Sequence, residues 1–200
     1  MIKNIISDIG NVLFEFDTTG FINKNIEAED KEKFFDLVFG NENWQLMDKG
    51  DLAFEDARKY FLSVYPKYKD SLNKLFDSSL TLCLNMNNNN INILKEYKEK
   101  CYNIYYLSNM SVETFQCINK KTDFFETTCI GGIVSAYEKM IKPSEEIYKL
   151  LLNRFNLKAE ECLFIDDNLN NVNSALKLGF NSFQLKNMSD MRFELEKILK

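Results

Sequence analysis

From Ile91 onward the chain alternates helical and strand patterns, and that alternation limits the fold more than any other feature. Helical spacing over about 91–100 precedes the run Asn103-Ile104-Tyr105-Tyr106-Leu107, which leads into Ser108-Asn109. A helix near 112–121 and a short strand around Cys129-Ile130 come next, then a helix from Pro143 to about Phe155. Strand Cys162-Leu163-Phe164-Ile165 enters Asp166-Asp167, a helix ends near Gly179, strand Ser182-Phe183-Gln184-Leu185 follows, and a last helix closes the chain. Strands separated by helices pair in parallel, with the helices covering both faces of the sheet. Ile5-Ile6-Ser7-Asp8, an apolar run ending in a carboxylate just before Ile9-Gly10-Asn11, reads as a further, central strand. The expected fold class is α/β, a parallel sheet core with helices on both faces.

Between these parts, about Thr18 to Asn85, no β-rich run occurs. Apolar residues recur there at helical spacing, as in Phe34, Leu37 and Val38, Phe54, Ala57 and Phe61, and Leu72, Leu75 and Phe76. This segment reads as a helical insert, so the expected division is a core of 1–16 plus 87–200 and an insert of 17–86. Two hundred residues, 45% of them hydrophobic, suffice for such a core with a small insert. The tetrad Asn87 to Asn90 is read as compositional bias at a loop or helix start.

Composition excludes several classes. A formal charge of -5 gives no basic surface for nucleic acid or anionic lipid, so neither nucleic acid nor membrane is an expected partner. Met1-Ile2-Lys3-Asn4 leads straight into a strand without the apolar region of a signal peptide, and the expected location is cytoplasmic. Five scattered cysteines, none spaced CxxC, suit thiols in a reducing compartment. The complete absence of histidine removes Ser-His-Asp triads, Cys-His pairs, phosphohistidine chemistry and the usual zinc sites. Carboxylates, lysine, serine and a hard cation remain as chemical tools.

In an open parallel sheet, ligands bind outside the carboxyl ends of the strands. Asp8, Ser108 and the pair Asp166-Asp167 all fall at such ends. Lys142 precedes Pro143, which biases it toward an extended conformation, while Pro143, Ser144, Glu145 and Glu146 make a credible first helical turn. Three carboxylates in a partly desolvated cleft repel by several kcal/mol, on the order of what a bound cation offsets, and all-oxygen ligation suits Mg²⁺. Asp8, Asp166 and Asp167 contribute -3, which Mg²⁺ and Lys142 balance. A phosphate could then approach Asp8, which would attack it in line, with Lys142 and the Ser108 hydroxyl holding phosphoryl oxygens.

Four motifs carry a resemblance: Ser7-Asp8-Ile9-Gly10-Asn11-Val12, Leu107-Ser108-Asn109, Lys142-Pro143, and Phe164-Ile165-Asp166-Asp167-Asn168. In this order and at these intervals the chain resembles the haloacid dehalogenase superfamily, in its phosphatase branch with a helical cap. The wording is most similar to small sugar phosphatases of the α-glucose-1-phosphate type. The resemblance implies a Rossmann-like core with an inserted helical-bundle cap and a Mg²⁺-dependent phosphatase with an aspartyl-phosphate intermediate. Its substrate would be a small-molecule phosphate ester, and the protein a monomer or weak homo-oligomer. It implies Asp8 as nucleophile and metal ligand, Gly10 as a carbonyl ligand, and Ser108 and Lys142 as phosphate holders. Asp167 would be a metal ligand and Asp166 a ligand or its support. Residues after Asp8, through about Asp17, would form a turn and flap coupled to the cap. Asn11, Asn109 and Trp44 are the candidates for contact with substrate, Trp44 being equally readable as a packing anchor.

One departure stands out. Most phosphatases of the superfamily carry a second Asp two residues after the nucleophile as general acid, and here that residue is Gly10. Such an acid contributes about 10²- to 10⁴-fold. Either the substrate has an easily expelled leaving group, as in an aldose 1-phosphate or acyl phosphate, or Glu15, Asp17, Asp48 or Asp51 substitutes. Two other functions stay open, a hydrolytic 2-haloacid dehalogenase and a catalytically impaired phosphate-binding regulator. A dehalogenase generally uses an arginine on its substrate, and Arg58, Arg154 and Arg192 all fall outside the four motifs.

Overall fold

A computed structural model describes residues 1–199. In chain order, β1 (Asn4–Ser7) and β2 (Phe14–Phe16) are followed by five helices, α1 (Thr18–Asn25), α2 (Lys31–Val38), α3 (Glu42–Lys49), α4 (Phe54–Val64) and α5 (Lys69–Asp77). Then come β3 (Leu84–Met86), α6 (Asn88–Glu99), β4 (Asn103–Ser108), α7 (Val112–Asn119), α8 (Phe124–Thr127), β5 (Cys129–Val134) and α9 (Ser135–Glu138). The chain finishes with α10 (Glu145–Arg154), β6 (Cys162–Asp166), α11 (Leu169–Lys177), β7 (Asn181–Gln184) and α12 (Met191–Ile198).

Five strands form one parallel sheet in the order β5-β4-β1-β6-β7, with β1 at its centre. All four residues of β1 are buried, as expected of a strand covered on both faces. Side chains alternate between faces. Ile5, Ile104, Leu163 and Ile165 face one apolar layer with Ile91 and Leu94 of α6, Ile118 of α7 and Leu195 of α12. Ile6, Tyr105, Leu107 and Phe164 face the other, with Ile147, Tyr148 and Leu151 of α10 and Ala175 of α11. The α/β fold with helices on both faces is therefore as expected from the alternation.

Helices α1 to α5 enclose a separate apolar cluster built on Phe34, Phe61, Leu72 and Leu75. The chain enters and leaves this bundle through a two-stranded antiparallel ribbon, β2 with β3, pairing Phe14 with Met86 and Phe16 with Leu84. Asn87 caps α6 by accepting a hydrogen bond from the Asn90 N–H, so the asparagine tetrad is a helix start. Two details differ from the sequence reading. Strand β5 runs six residues to Val134 rather than stopping near Ile130, and Pro143 lies ahead of α10, whose N-cap is Ser144. Among the described residues no helix is long and apolar enough to cross a membrane.

Candidate active site

The central strand β1 ends one residue before Asp8, and its neighbours β4 and β6 end at Ser108 and Asp166, so topology alone brings these groups to one sheet edge. Lys142 arrives from the loop before α10. Its Nζ sits 2.9 Å from Asp8 Oδ1 and 2.7 Å from Asp166 Oδ2, and donates to the Leu107 carbonyl at 2.9 Å. Lys142 is 3% exposed, Asp8 7% and Asp166 0%. A reciprocal pair of bonds fixes the lysine backbone: its N–H donates to Asn109 Oδ1 at 2.8 Å, and Asn109 Nδ2 donates to its carbonyl at 2.9 Å.

Asp166 is fully engaged. Its Oδ1 accepts from the Asn168 N–H at 2.8 Å, and Asn171 Nδ2 reaches both carboxylate oxygens at 3.0 Å. Asn171, in the first turn of α11, was missed in the sequence, although its spacing from Asp166 places both at the helix entrance. Asp167 is more open and accepts from Asn11 Nδ2 at 3.0 Å. Asn11 Oδ1 in turn accepts from the Phe16 N–H at 2.9 Å, so Asn11 ties the acidic pair to β2, through which the chain enters the helical bundle. Asp8 accepts from the Ile9 N–H at 2.7 Å.

A cavity of about 120 Å³ opens over this edge, lined by Asp8, Gly10, Asn11, Asn109 and Asp167 from the core and Trp44 and Asp48 from α3. Phe16, Leu80, Leu84, Met110 and Thr114 complete it, and none of these was singled out in the sequence. Trp44 lines the cavity and packs against Phe39 and Phe16 with ring centroids 4.9 and 6.2 Å apart. Of the four carboxylates considered as substitutes for the absent Asp, only Asp48 lines the cavity. Glu15 is exposed and accepts from Asn85, Asp17 caps α1 through the Gly20 N–H, and Asp51 pairs with Lys49.

Electrostatics mark the site as incomplete on its own. One oxygen of each of Asp8, Asp166 and Asp167 lies within 4.8 Å of the others, and one buried ammonium faces these three carboxylates. Burial pushes Asp8 up to about 7, with the Lys142 ammonium opposing and the Asp166 and Asp167 charges adding to the rise. Asp167 is raised as well, first by burial. Burial works against the charge on Lys142, but Asp166 and Asp8 outweigh it and hold the ammonium above its ordinary value. An all-oxygen cluster with unbalanced negative charge fits a hard divalent cation.

These shifts carry a pH signature. The folded chain retains a proton on Asp8 between its ordinary carboxylate value of 3.8 and about 7, while the unfolded chain releases it. Folding stability of the metal-free protein is therefore expected to fall as pH rises through that window. Added Mg²⁺ is expected to restore it, because a cation favours the ionised carboxylates. Thermal unfolding between pH 4 and 8, with EDTA or with Mg²⁺, checks both.

The comparisons with known proteins point to one family. A sesquiterpene phosphatase of Aspergillus oryzae is 25% identical over 198 residues, covering 98% of this chain and 96% of the relative. A D-ribitol-5-phosphate phosphatase of Bacteroides thetaiotaomicron is 24% identical over 206 residues, covering 100% and 99%. A HAD-family enzyme of the same bacterium, solved in complex with magnesium and inorganic phosphate, superimposes with a TM-score of 0.76 at 25% identity over 92% of this chain and 94% of that one. Residues 2–179 match the family model for haloacid dehalogenase-like hydrolases, and with Asp8, Ser108, Lys142 and Asp166-Asp167 gathered at one sheet edge, the chain belongs to that family.

Proposed function

We propose that this protein is a Mg²⁺-dependent phosphomonoester hydrolase that works through an aspartyl-phosphate at Asp8. The observation that carries the reading is the buried Lys142 held between Asp8 and Asp166, with Asp167 alongside, beneath a cavity that Asp8 and Asp167 line. Asp8, Asp167 and the Gly10 carbonyl would hold the metal, with Asp166 as a further ligand or support. When bound, Mg²⁺ supplies positive charge that neutralises phosphoryl oxygens and keeps Asp8 ionised. Lys142 holds a phosphoryl oxygen, the Ser108 hydroxyl donates to another, and Asp8 attacks phosphorus from the floor of the cavity. Asn109 fixes Lys142 through its backbone, and Asn11 orients Asp167, so both act chiefly on the groups around the phosphate. Water then releases phosphate and regenerates Asp8.

The dehalogenase reading has no support in the cavity. Arg58, Arg154 and Arg192 are committed to Asp77, Glu138 and Glu96, and none lines it.

A sugar or polyol phosphate suits the polar Asp48, Asn109 and Thr114 in the lining. The ribitol-phosphate phosphatase among the relatives is compatible with this substrate class. A second reading, an apolar alkyl or prenyl monophosphate, is favoured by Phe16, Trp44, Leu80, Leu84 and Met110 in the same lining. The sesquiterpene phosphatase among the relatives is compatible with that one. A panel of hexose 1- and 6-phosphates, ribitol 5-phosphate and a short prenyl monophosphate, assayed with Mg²⁺, separates the two. Preference for sugar and polyol esters supports the first, and a kcat/KM at least about tenfold higher for the prenyl ester, a gap of ~1.4 kcal/mol, replaces it with the second. Phosphate release that survives EDTA contradicts the metal assignment.

A further inference from the structure

The carboxylate missing beside the nucleophile has a counterpart across the cavity. Gly10 presents no side chain, and a Cβ built there meets nothing within 4 Å. Asp48, in the last turn of α3, lines the same cavity as Asp8 and Gly10 from the cap side. Three contacts fix it there. Its backbone carbonyl accepts a hydrogen bond from the Ser135 hydroxyl at the start of α9, which also accepts from the Met110 N–H at 2.9 Å. Two residues on, Gly50 closes α3 at φ +82°, and any Cβ at that position would lie 2.3 Å from the Ala136 carbonyl. The Ser111 amide of the core and Trp44 both lie beside the Asp48 side chain and favour its carboxylate form. The cap thus docks on the core through the segment that carries this carboxyl.

Resting on the phosphatase reading above, we propose that Asp48 is the general acid and base of the reaction, supplied by the cap in place of the residue that Gly10 lacks. As Asp8 Oδ bonds to phosphorus and the ester P–O bond breaks, the Asp48 carboxyl gives its proton to the leaving oxygen. The alcohol departs, leaving an Asp48 carboxylate and a phosphorylated Asp8. In the second half, water adds to phosphorus, its proton passes to Asp48, and the Asp8–phosphorus bond breaks, so both groups return to their starting states. The environment suits an acid that must begin protonated. Burial, with the nearby Asp8 charge adding, pushes Asp48 up to about 8, and hydrogen bonding from Ser111 and Trp44 offsets this only in part. A cap-supplied acid also makes proton transfer conditional on cap closure, and it removes the need for a substrate with an unusually good leaving group.

The test compares Asp48→Asn with wild type on two esters, the best primary-alcohol phosphate from the panel above and p-nitrophenyl phosphate, whose leaving group needs no proton. The readout is kcat/KM, which reports steps through phosphorylation of Asp8. The variant is expected to lose roughly 10²- to 10⁴-fold on the alkyl ester and less than about tenfold on the nitrophenyl ester. Its phosphoenzyme should accumulate on the nitrophenyl ester, because the second half lacks its base. Adding Gly10→Asp to Asp48→Asn should recover part of the alkyl activity, since the space beside Gly10 is open. Equal losses on both esters, or no loss on either, would overturn the role of Asp48 while leaving the phosphatase reading intact. A wild-type enzyme that hydrolyses neither ester would overturn both.

Discussion

Asp8→Asn is expected to abolish turnover, with a loss of roughly 10⁴-fold or more in kcat/KM, because an amide cannot form the phosphoryl bond on which the rest of the reaction depends. The substitution is nearly isosteric, so the fold should survive. Lys142 keeps Asp166 at 2.7 Å and the Leu107 carbonyl at 2.9 Å, and is not stranded. At pH 8 the metal-free variant is expected to be at least as stable as wild type. Burial disfavours the Asp8 carboxylate, which titrates at about 7 in the folded chain, and the amide carries no such penalty. The Mg²⁺-induced rise in unfolding temperature should shrink in the variant. Activity and thermal unfolding measured together separate lost chemistry from lost structure, since a destabilising substitution would lower both.

Lys142→Met is the second large effect, and it combines both kinds of damage. The lysine is 3% exposed and, among the described residues, is the one cation in contact with Asp8 and Asp166. Its removal leaves two buried carboxylates facing each other without compensation. Breaking a buried pair from one side costs about 3–5 kcal/mol. The deficit should depend on pH. Below about pH 4, where carboxylates protonate even in the unfolded chain, repulsion disappears and the variant should approach wild-type stability. At pH 8 the gap should be widest. Activity should be lost under all conditions, because a phosphoryl oxygen loses its fixed ammonium even where Mg²⁺ restores the fold. Denaturation of both proteins across pH 4 to 8 checks the stability trend. Equal stability at pH 8 would mean that the carboxylates are held by something other than this lysine.

The parts of the site that were legible in the sequence are those that strand ends dictate. Fully buried parallel strands read as short apolar runs, and polar residues at their carboxyl ends stand out. Asp8, Ser108 and Asp166-Asp167 were visible for that reason, and Lys142 by its place before a proline. What tertiary packing decides was not visible. The ribbon of β2 and β3 has three residues per strand, too few for a period to register. Strand β5 was legible only around Cys129-Ile130, because Gly131 and Gly132 carry no side chain to continue an apolar strand pattern. They are glycines because a Cβ at Gly131 would meet the Phe155 ring at 2.7 Å and one at Gly132 the Tyr106 ring at 2.4 Å. Asp48 could be placed among four candidate carboxylates, but only the docking of α3 against α9 separates it from Glu15, Asp17 and Asp51. The cavity lining was illegible for a related reason. Phe16, Leu80, Leu84 and Met110 are ordinary apolar residues whose arrangement around Asp8 is a property of tertiary packing.

A phosphorylated Asp8 should be trappable. Enzyme mixed with excess p-nitrophenyl phosphate and Mg²⁺, quenched in acid within the first turnovers and digested, is expected to yield a peptide containing Asp8 that carries one phosphoryl group. As an acyl phosphate it should be released by hydroxylamine, and it should be absent with EDTA and from Asp8→Asn. Phosphate on any other residue, or steady turnover with no phosphoenzyme at any quench time, would contradict the assignment of Asp8 as the nucleophile.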